Sequence, residues 1–198
     1  MGSRKEIHKV PAKATRAKAP KEAKLISLDI ACGQVKEEGW VGVDIVKTTG
    51  VDVVHDLLKF PWPFADGSVG LAKCSHFFEH VPNHLRFKFM DELYRIMAKG
   101  AQCTFFVPYY ASMRAVQDPT HEWPPIAESS FLYFNAEWRR NSKLDHYPVK
   151  CDFDFTYSYA LDNSPPFNLG GRNQDFQMTA IKHYINSVTD LIVTVTKR

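Results

Sequence analysis

The 198-residue sequence predicts an α/β domain built on an open, doubly wound, mostly parallel sheet that ends in an antiparallel strand pair. Three observations lead there. Five short runs rich in β-branched and aromatic residues fill the stretch from 25 to 108, as expected for strands buried on both faces. Between the fourth and fifth runs, apolar residues recur every four positions, the mark of an amphipathic helix. The last two runs instead alternate apolar with polar, as antiparallel strands with one wet face do.

The five runs are LISLDI (25–30), WVGVDI (40–45), VDVVHDL (51–57), VGLAKCS (69–75) and AQCTFFVP (101–108). Leu85, Phe89, Leu93 and Met97 form the helical stripe, with Asn83 near its start and Gly100 just beyond its end. After Pro108 the stretch YYASMRAVQDPTHEWPP is rich in turn formers and aromatics and reads as an irregular insertion, and IAESSFLYFNAEWRR (126–140) supplies a further helix. CDFDFTYSYAL (151–161) and DLIVTVTKR (190–198) are the antiparallel pair, with FQMTAIKHYINSV (176–188) helical between them and 162–175 a polar loop.

Composition sets the bounds. With 44% hydrophobic and 24% charged residues the chain suits one soluble domain with a sizeable core. Charge is uneven: residues 1–24 carry eight Lys/Arg and two Glu, a net +6, so against a total of +3 the remaining 174 residues sum to −3. The segment 1–24, with no hydrophobic periodicity, reads as a disordered basic arm preceding a domain over 25–198. A solubilising tail is the simpler role for it, and contact with nucleic acid through residues 4–24 the alternative. No run reaches the ~18 apolar residues of a membrane span, and the start lacks a secretion signal. A cytoplasmic protein without membrane association is therefore expected. Cys32, Cys74, Cys103 and Cys151 never form C-x-x-C and are expected as reduced core residues.

Open parallel sheets bind ligands beyond the carboxyl ends of their strands, where strand order reverses. That rule puts the turn ACGQ after the first strand against a ligand. Gly33 permits close backbone approach, and Asp44, at the end of the second strand, is placed to accept hydrogen bonds from two vicinal ribose hydroxyls. The G-x-G-x-x-G of dinucleotide enzymes is absent. His76 and His80 stand four apart in SHFFEH, yet no third ligand accompanies them and H-E-x-x-H is not matched, so no metal site is predicted.

The ordered pieces LDIACG, GVDI, VHDL, PWPFADGSV, CSHFFEHV, ELYRIMAKG and FFVP resemble the class I S-adenosylmethionine-dependent methyltransferases, with their Rossmann-like sheet, over residues 25–108. The resemblance implies S-adenosylmethionine as cofactor. It implies that Asp29, Ala31, Cys32 and Gly33 surround the methionine portion, Asp44 holds the ribose, Ile45 lies on the adenine, Asp56 and Leu57 meet its edge, and Ser75 and His76 flank the sulfonium. Two departures stand out. Ala31 occupies the family's first glycine position, which a methyl tolerates only at negative φ. The six residues QVKEEG leave room for no more than one helical turn before the second strand, unless the strand boundaries shift.

The family builds its substrate lid after the fifth strand, which makes His121 the first candidate for a general base, with His76 and Tyr109 as further catalytic candidates and Arg114 and Asp118 as acceptor-orienting groups. The resulting reading is methyl transfer to an oxygen or nitrogen of a small-molecule acceptor. The alternatives are a non-catalytic S-adenosylmethionine-binding or partner-binding module, and a nucleic-acid methyltransferase using the basic arm.

Overall fold

A computed structural model describes residues 24–198; the basic arm read over 1–24 lies, apart from Lys24, outside the described residues. The chain runs β1 (Ile26–Ile30), β2 (Val41–Asp44), β3 (Val53–Val54), β4 (Val69–Ser75), α1 (Asn83–Ile96), β5 (Met97–Pro108), α2 (Arg114–Gln117), α3 (Ala136–Asn141), β6 (Phe153–Leu161), α4 (Gln174–His183) and β7 (Val188–Lys197). The strands form one seven-stranded sheet in the order β3-β2-β1-β4-β5-β7-β6. Only β7 is reversed, pairing antiparallel with both β5 and β6, while the other contacts are parallel. The strand order reverses direction between β1 and β4, which fixes the crevice at the carboxyl ends of β1, β2 and β4 as the ligand edge.

The core lies between α1 and one face of the sheet. Phe89, Met90, Leu93 and Ile96 of α1 are fully buried, and Phe89 meets the Trp62 ring edge-on with centroids 4.9 Å apart. Phe78 bridges Phe89 and Phe105 at 5.4 and 5.3 Å. Aromatic contacts of this kind add about 0.5–1.5 kcal/mol each beyond their burial. The stripe places Met97 correctly in the core but not in the helix: α1 ends at Ile96, and Met97 takes an extended conformation as the first residue of β5. Asn83 is likewise the first helical residue rather than a cap, since Pro82 occupies the cap position.

The opposite face carries no helix over the β1–β2 and β2–β3 crossovers among the described residues. Residues 31–40 pass from β1 to β2 in turns alone, so of the two forms open to this crossover the helical turn is not taken, and β2 begins one residue later than expected, at Val41. Polar pairs take the place of a packed helix. Lys73, directly opposite Asp29 in the β1–β4 ladder, reaches Asp29 Oδ2 at 3.2 Å and Glu37 Oε1 at 2.8 Å. Burial alone would lower the Lys73 pKa, but the hydrogen bonds from Glu37 and Asp29 outweigh it and raise it. The helix foreseen over 126–140 is broken into a 3-10 segment, Glu128–Phe134, and α3, because Asn135 leaves the helical conformation to cap α3 through Trp138 N–H. The helix foreseen over 176–188 is α4, shifted toward the N-terminus.

Cys74, Cys103 and Cys151 are fully buried free thiols, as expected of small core residues, while Cys32 is half-buried.

Candidate active site

Three strand ends and one loop build the site. β1 delivers the turn 31–34, which is held against the loop after β2: Thr48 Oγ1 donates to Gly33 O at 2.7 Å, Thr49 Oγ1 to Gln34 O at 3.3 Å, and Gly33 N–H to Asp44 Oδ2 at 2.9 Å. Asp44 Oδ1 accepts from Ile45 N–H at 2.7 Å. Oδ1 also accepts from Val46 N–H at 3.4 Å, while Oδ2 keeps a second lone pair with which Asp44 can accept from a hydroxyl. The turn is tight. Gly33 has φ +62°, and Ala31 has φ +55°, so the condition of negative φ at Ala31 is not met. Its methyl is carried in the left-handed region, at a cost of about 1–2 kcal/mol.

A cavity of about 160 Å³ opens here, lined by Ala31, Asp44, Ile45, Asp56 and Leu57 together with His55, Leu58 and Phe77. Five residues expected at the cofactor thus converge, from the ends of three different strands. His55 and Phe77 stand beside expected positions in VHDL and SHFFEH, but nothing in the spacing singles them out. Asp29, Cys32, Gly33, Ser75 and His76 do not line this cavity. Asp29 is buried and held by Lys73 and by Glu37 N–H. The Cys32 thiol lies 3.5 Å from Gly50 O, and its pKa is raised by burial and by the nearby carboxylates of Asp29 and Asp44.

His76 faces a second cavity. Its backbone sits at φ +51° just past β4, and its N–H donates to Phe106 O at 2.8 Å. This cavity, about 220 Å³, is walled by His76, Glu79, His80, Arg114, Asp118 and His121. His76 and Phe77 are consecutive, so the chain just past β4 contributes a lining residue to each cavity. His76 Nδ1 lies 3.4 Å from Glu79 Oε1. The Glu79 hydrogen bond outweighs desolvation and raises the His76 pKa. Arg114 donates to Asp190 Oδ2 at 2.8 Å, tying α2 to the start of β7. Asp118 accepts from Thr120 N–H and Oγ1.

His121 reaches this cavity because a buried arginine pins its loop. Arg86 on α1 donates to Val81 O, Pro124 O and Glu122 O at 2.8–3.1 Å. The His121 and His80 rings then meet edge-on at 4.7 Å. Tyr109 points elsewhere: it is buried, and its hydroxyl donates to Glu128 Oε1 at 3.0 Å, with its pKa raised by burial and by Glu128. Tyr110, beside it, is the exposed ring of the pair.

No protein-family model matches the chain, and no curated protein matches it. Solved structures do. A SAM-dependent methyltransferase from Archaeoglobus fulgidus superposes with a TM-score of 0.58 at 18% identity, covering 88% of this chain and 86% of the other. A SAM-dependent methyltransferase from Methanosarcina mazei gives a TM-score of 0.50 at 16% identity over 89% and 93%. The fold is that of the class I S-adenosylmethionine-dependent methyltransferases, as the resemblance over 25–108 implied. No helix among the described residues is long and apolar enough to cross a membrane.

Proposed function

We propose that the protein is an S-adenosylmethionine-dependent methyltransferase acting on an oxygen or nitrogen of a small-molecule acceptor. The observation that carries this reading is that consecutive residues after β4 line two cavities: Phe77 lines one with a ribose-suited carboxylate beside apolar walls, and His76 lines the other, which presents imidazoles.

Asp44 would accept from a ribose hydroxyl, Ile45 and Leu57 would cover the adenine, and the Asp56 carboxylate would lie at its edge. The backbone of the turn 31–33 would run along the amino-acid portion. S-Adenosylmethionine, when bound, supplies a methyl group on a cationic sulfur. The protein's part is to align the acceptor and to take up its proton. His76 is the group proposed to accept that proton, because it directly follows β4, next to Phe77 of the first cavity, and Glu79 Oε1 orients its ring. Its left-handed backbone supports the reading, since such conformations collect at working sites. Arg114 would orient a polar acceptor. Tyr109, with its hydroxyl held by Glu128, has a packing role in this account.

The test is transfer of a labelled methyl group from S-adenosylmethionine to fractionated cell extract, with small molecules and nucleic acids in separate fractions. Label in a small-molecule fraction is expected, and His76→Ala should lower transfer roughly 10²–10⁴-fold, as for loss of a general base, while leaving cofactor affinity unchanged. Label in nucleic acid alone, or in no fraction, would contradict the proposal.

A further inference from the structure

We propose that Glu79, His80 and His121 form a binding site for one first-row divalent transition-metal cation. The pair considered in the sequence, His76 and His80, lacks a third ligand; the fold instead groups Glu79 and His80 with His121, 41 positions beyond His80. A carboxylate oxygen and one nitrogen of each ring lie within 4.8 Å of one another. With metal–ligand bonds of about 2.0–2.2 Å, atoms in a filled shell stand roughly 3–3.5 Å apart, so small side-chain rotations close the set.

Both imidazoles are already set for this. His121 Nδ1 lies 3.2 Å from Ala115 O, and His80 Nδ1 lies 3.2 Å from Thr120 O. A carbonyl only accepts, so the tautomer with its proton on Nδ1 fits both contacts and leaves each Nε2 a lone pair, with Asp118 Oδ2 3.7 Å from the His121 Nε2. Metal-bound histidines are oriented by the same kind of outer hydrogen bond. The third observation is Glu79. Its side chain is only 6% exposed, its Oε1 is turned to His76, and its Oε2 is buried with no hydrogen-bond partner. An unpaired buried carboxylate oxygen is costly, and a cation would satisfy it. Arg86 offsets part of the Glu79 charge from a distance, but its guanidinium donates to three backbone carbonyls and leaves Oε2 without a donor.

The donor set selects the ion. Two imidazoles and one carboxylate suit Zn²⁺, Fe²⁺, Co²⁺ or Mn²⁺, whereas Mg²⁺ and Ca²⁺ prefer oxygen alone. Three protein ligands leave coordination positions facing the cavity, the arrangement of a site that also takes a water or a substrate oxygen.

Untagged full-length protein titrated with Co²⁺ should show visible ligand-field absorption that saturates at one ion per chain, displaceable by Zn²⁺. His80→Ala and His121→Ala should each weaken binding by more than the roughly 10–100-fold that loss of an outer-shell partner costs. Glu79→Gln, which keeps the buried shape, should do the same, and the exposed His84→Ala should change nothing. Absence of saturable binding, or binding unaltered in His121→Ala and Glu79→Gln, would overturn the proposal. The readout is independent of methyl transfer. Loss of Co²⁺ binding with normal S-adenosylmethionine binding counts against the metal site alone, and the reverse counts against the methyltransferase reading alone.

Discussion

The backbone N–H of Gly33 donates to Asp44 Oδ2 across 2.9 Å and so ties the turn after β1 to the end of β2. The residue proposed to hold the cofactor's ribose therefore also shapes the turn that would meet its amino-acid end. Asp44→Ala should lower the stability of the ligand-free protein by about 1.5–3 kcal/mol, the usual worth of a hydrogen bond to a charged group. Urea denaturation checks this, and an unchanged midpoint would show that the tie contributes nothing.

Ala31 carries a side chain at φ +55°. Replacing it with glycine removes a left-handed penalty of about 1–2 kcal/mol and adds about 0.4–1 kcal/mol of unfolded-chain entropy. Ala31→Gly should therefore gain about 0.5–1 kcal/mol, and Ala31→Val should lose stability. A stabilised valine variant would contradict the assigned backbone.

Gly42 lies where a Cβ would stand 2.2 Å from Gly50 O and 2.8 Å from Cys32 Sγ. A backbone carbonyl cannot swing aside as a side chain does. Gly42→Ala should cost about 1–3 kcal/mol by overpacking, and, by pushing the 48–50 loop off the turn, should weaken cofactor binding as well. A variant with wild-type stability and binding would show that the loop is free to move.

Cys32 is the one cysteine that is not fully buried. Burial and the Asp29 and Asp44 carboxylates raise its pKa, so the unreactive thiol persists to higher pH than in a free cysteine. Native protein treated with iodoacetamide should gain one modification per chain, at a rate still climbing above the free-thiol pKa of roughly 8.5. A rate that levels off below that pH, followed by mass spectrometry, would contradict the electrostatics of the turn.

Apolar runs announced the sheet because a strand buried on both faces leaves a continuous hydrophobic signature, and β1, β2, β4 and β5 sit where the runs lie. β3 did not follow this rule in length. Only Val53–Val54 pairs, since the polar VHDL end bends away into the cavity wall. That Ala31, Asp44, Ile45, Asp56 and Leu57 share one cavity was legible because they follow strand ends, and strand ends share one edge. The second cavity was only partly legible. His76 and His121 were recognisable as imidazoles near that edge, but the company of Glu79, His80 and His121 depends on Arg86 docking a distant loop. That interaction runs from a buried guanidinium to carbonyls, and backbone acceptors leave no mark in sequence. Tyr109 was misleading for the same reason: its partner, Glu128, lies across a turn whose path no local pattern specifies.

The central claim is that the cavity around Asp44 binds S-adenosylmethionine, and calorimetric titration of the ligand-free protein tests it directly. The account predicts one site per chain for S-adenosylmethionine or S-adenosylhomocysteine, no heat from nicotinamide dinucleotides, and a loss of most of the affinity in Asp44→Ala as the ribose acceptor disappears. Binding to the folded state should also raise the melting temperature by mass action. No binding of either adenosyl ligand, or equal binding by the wild type and Asp44→Ala, would contradict it.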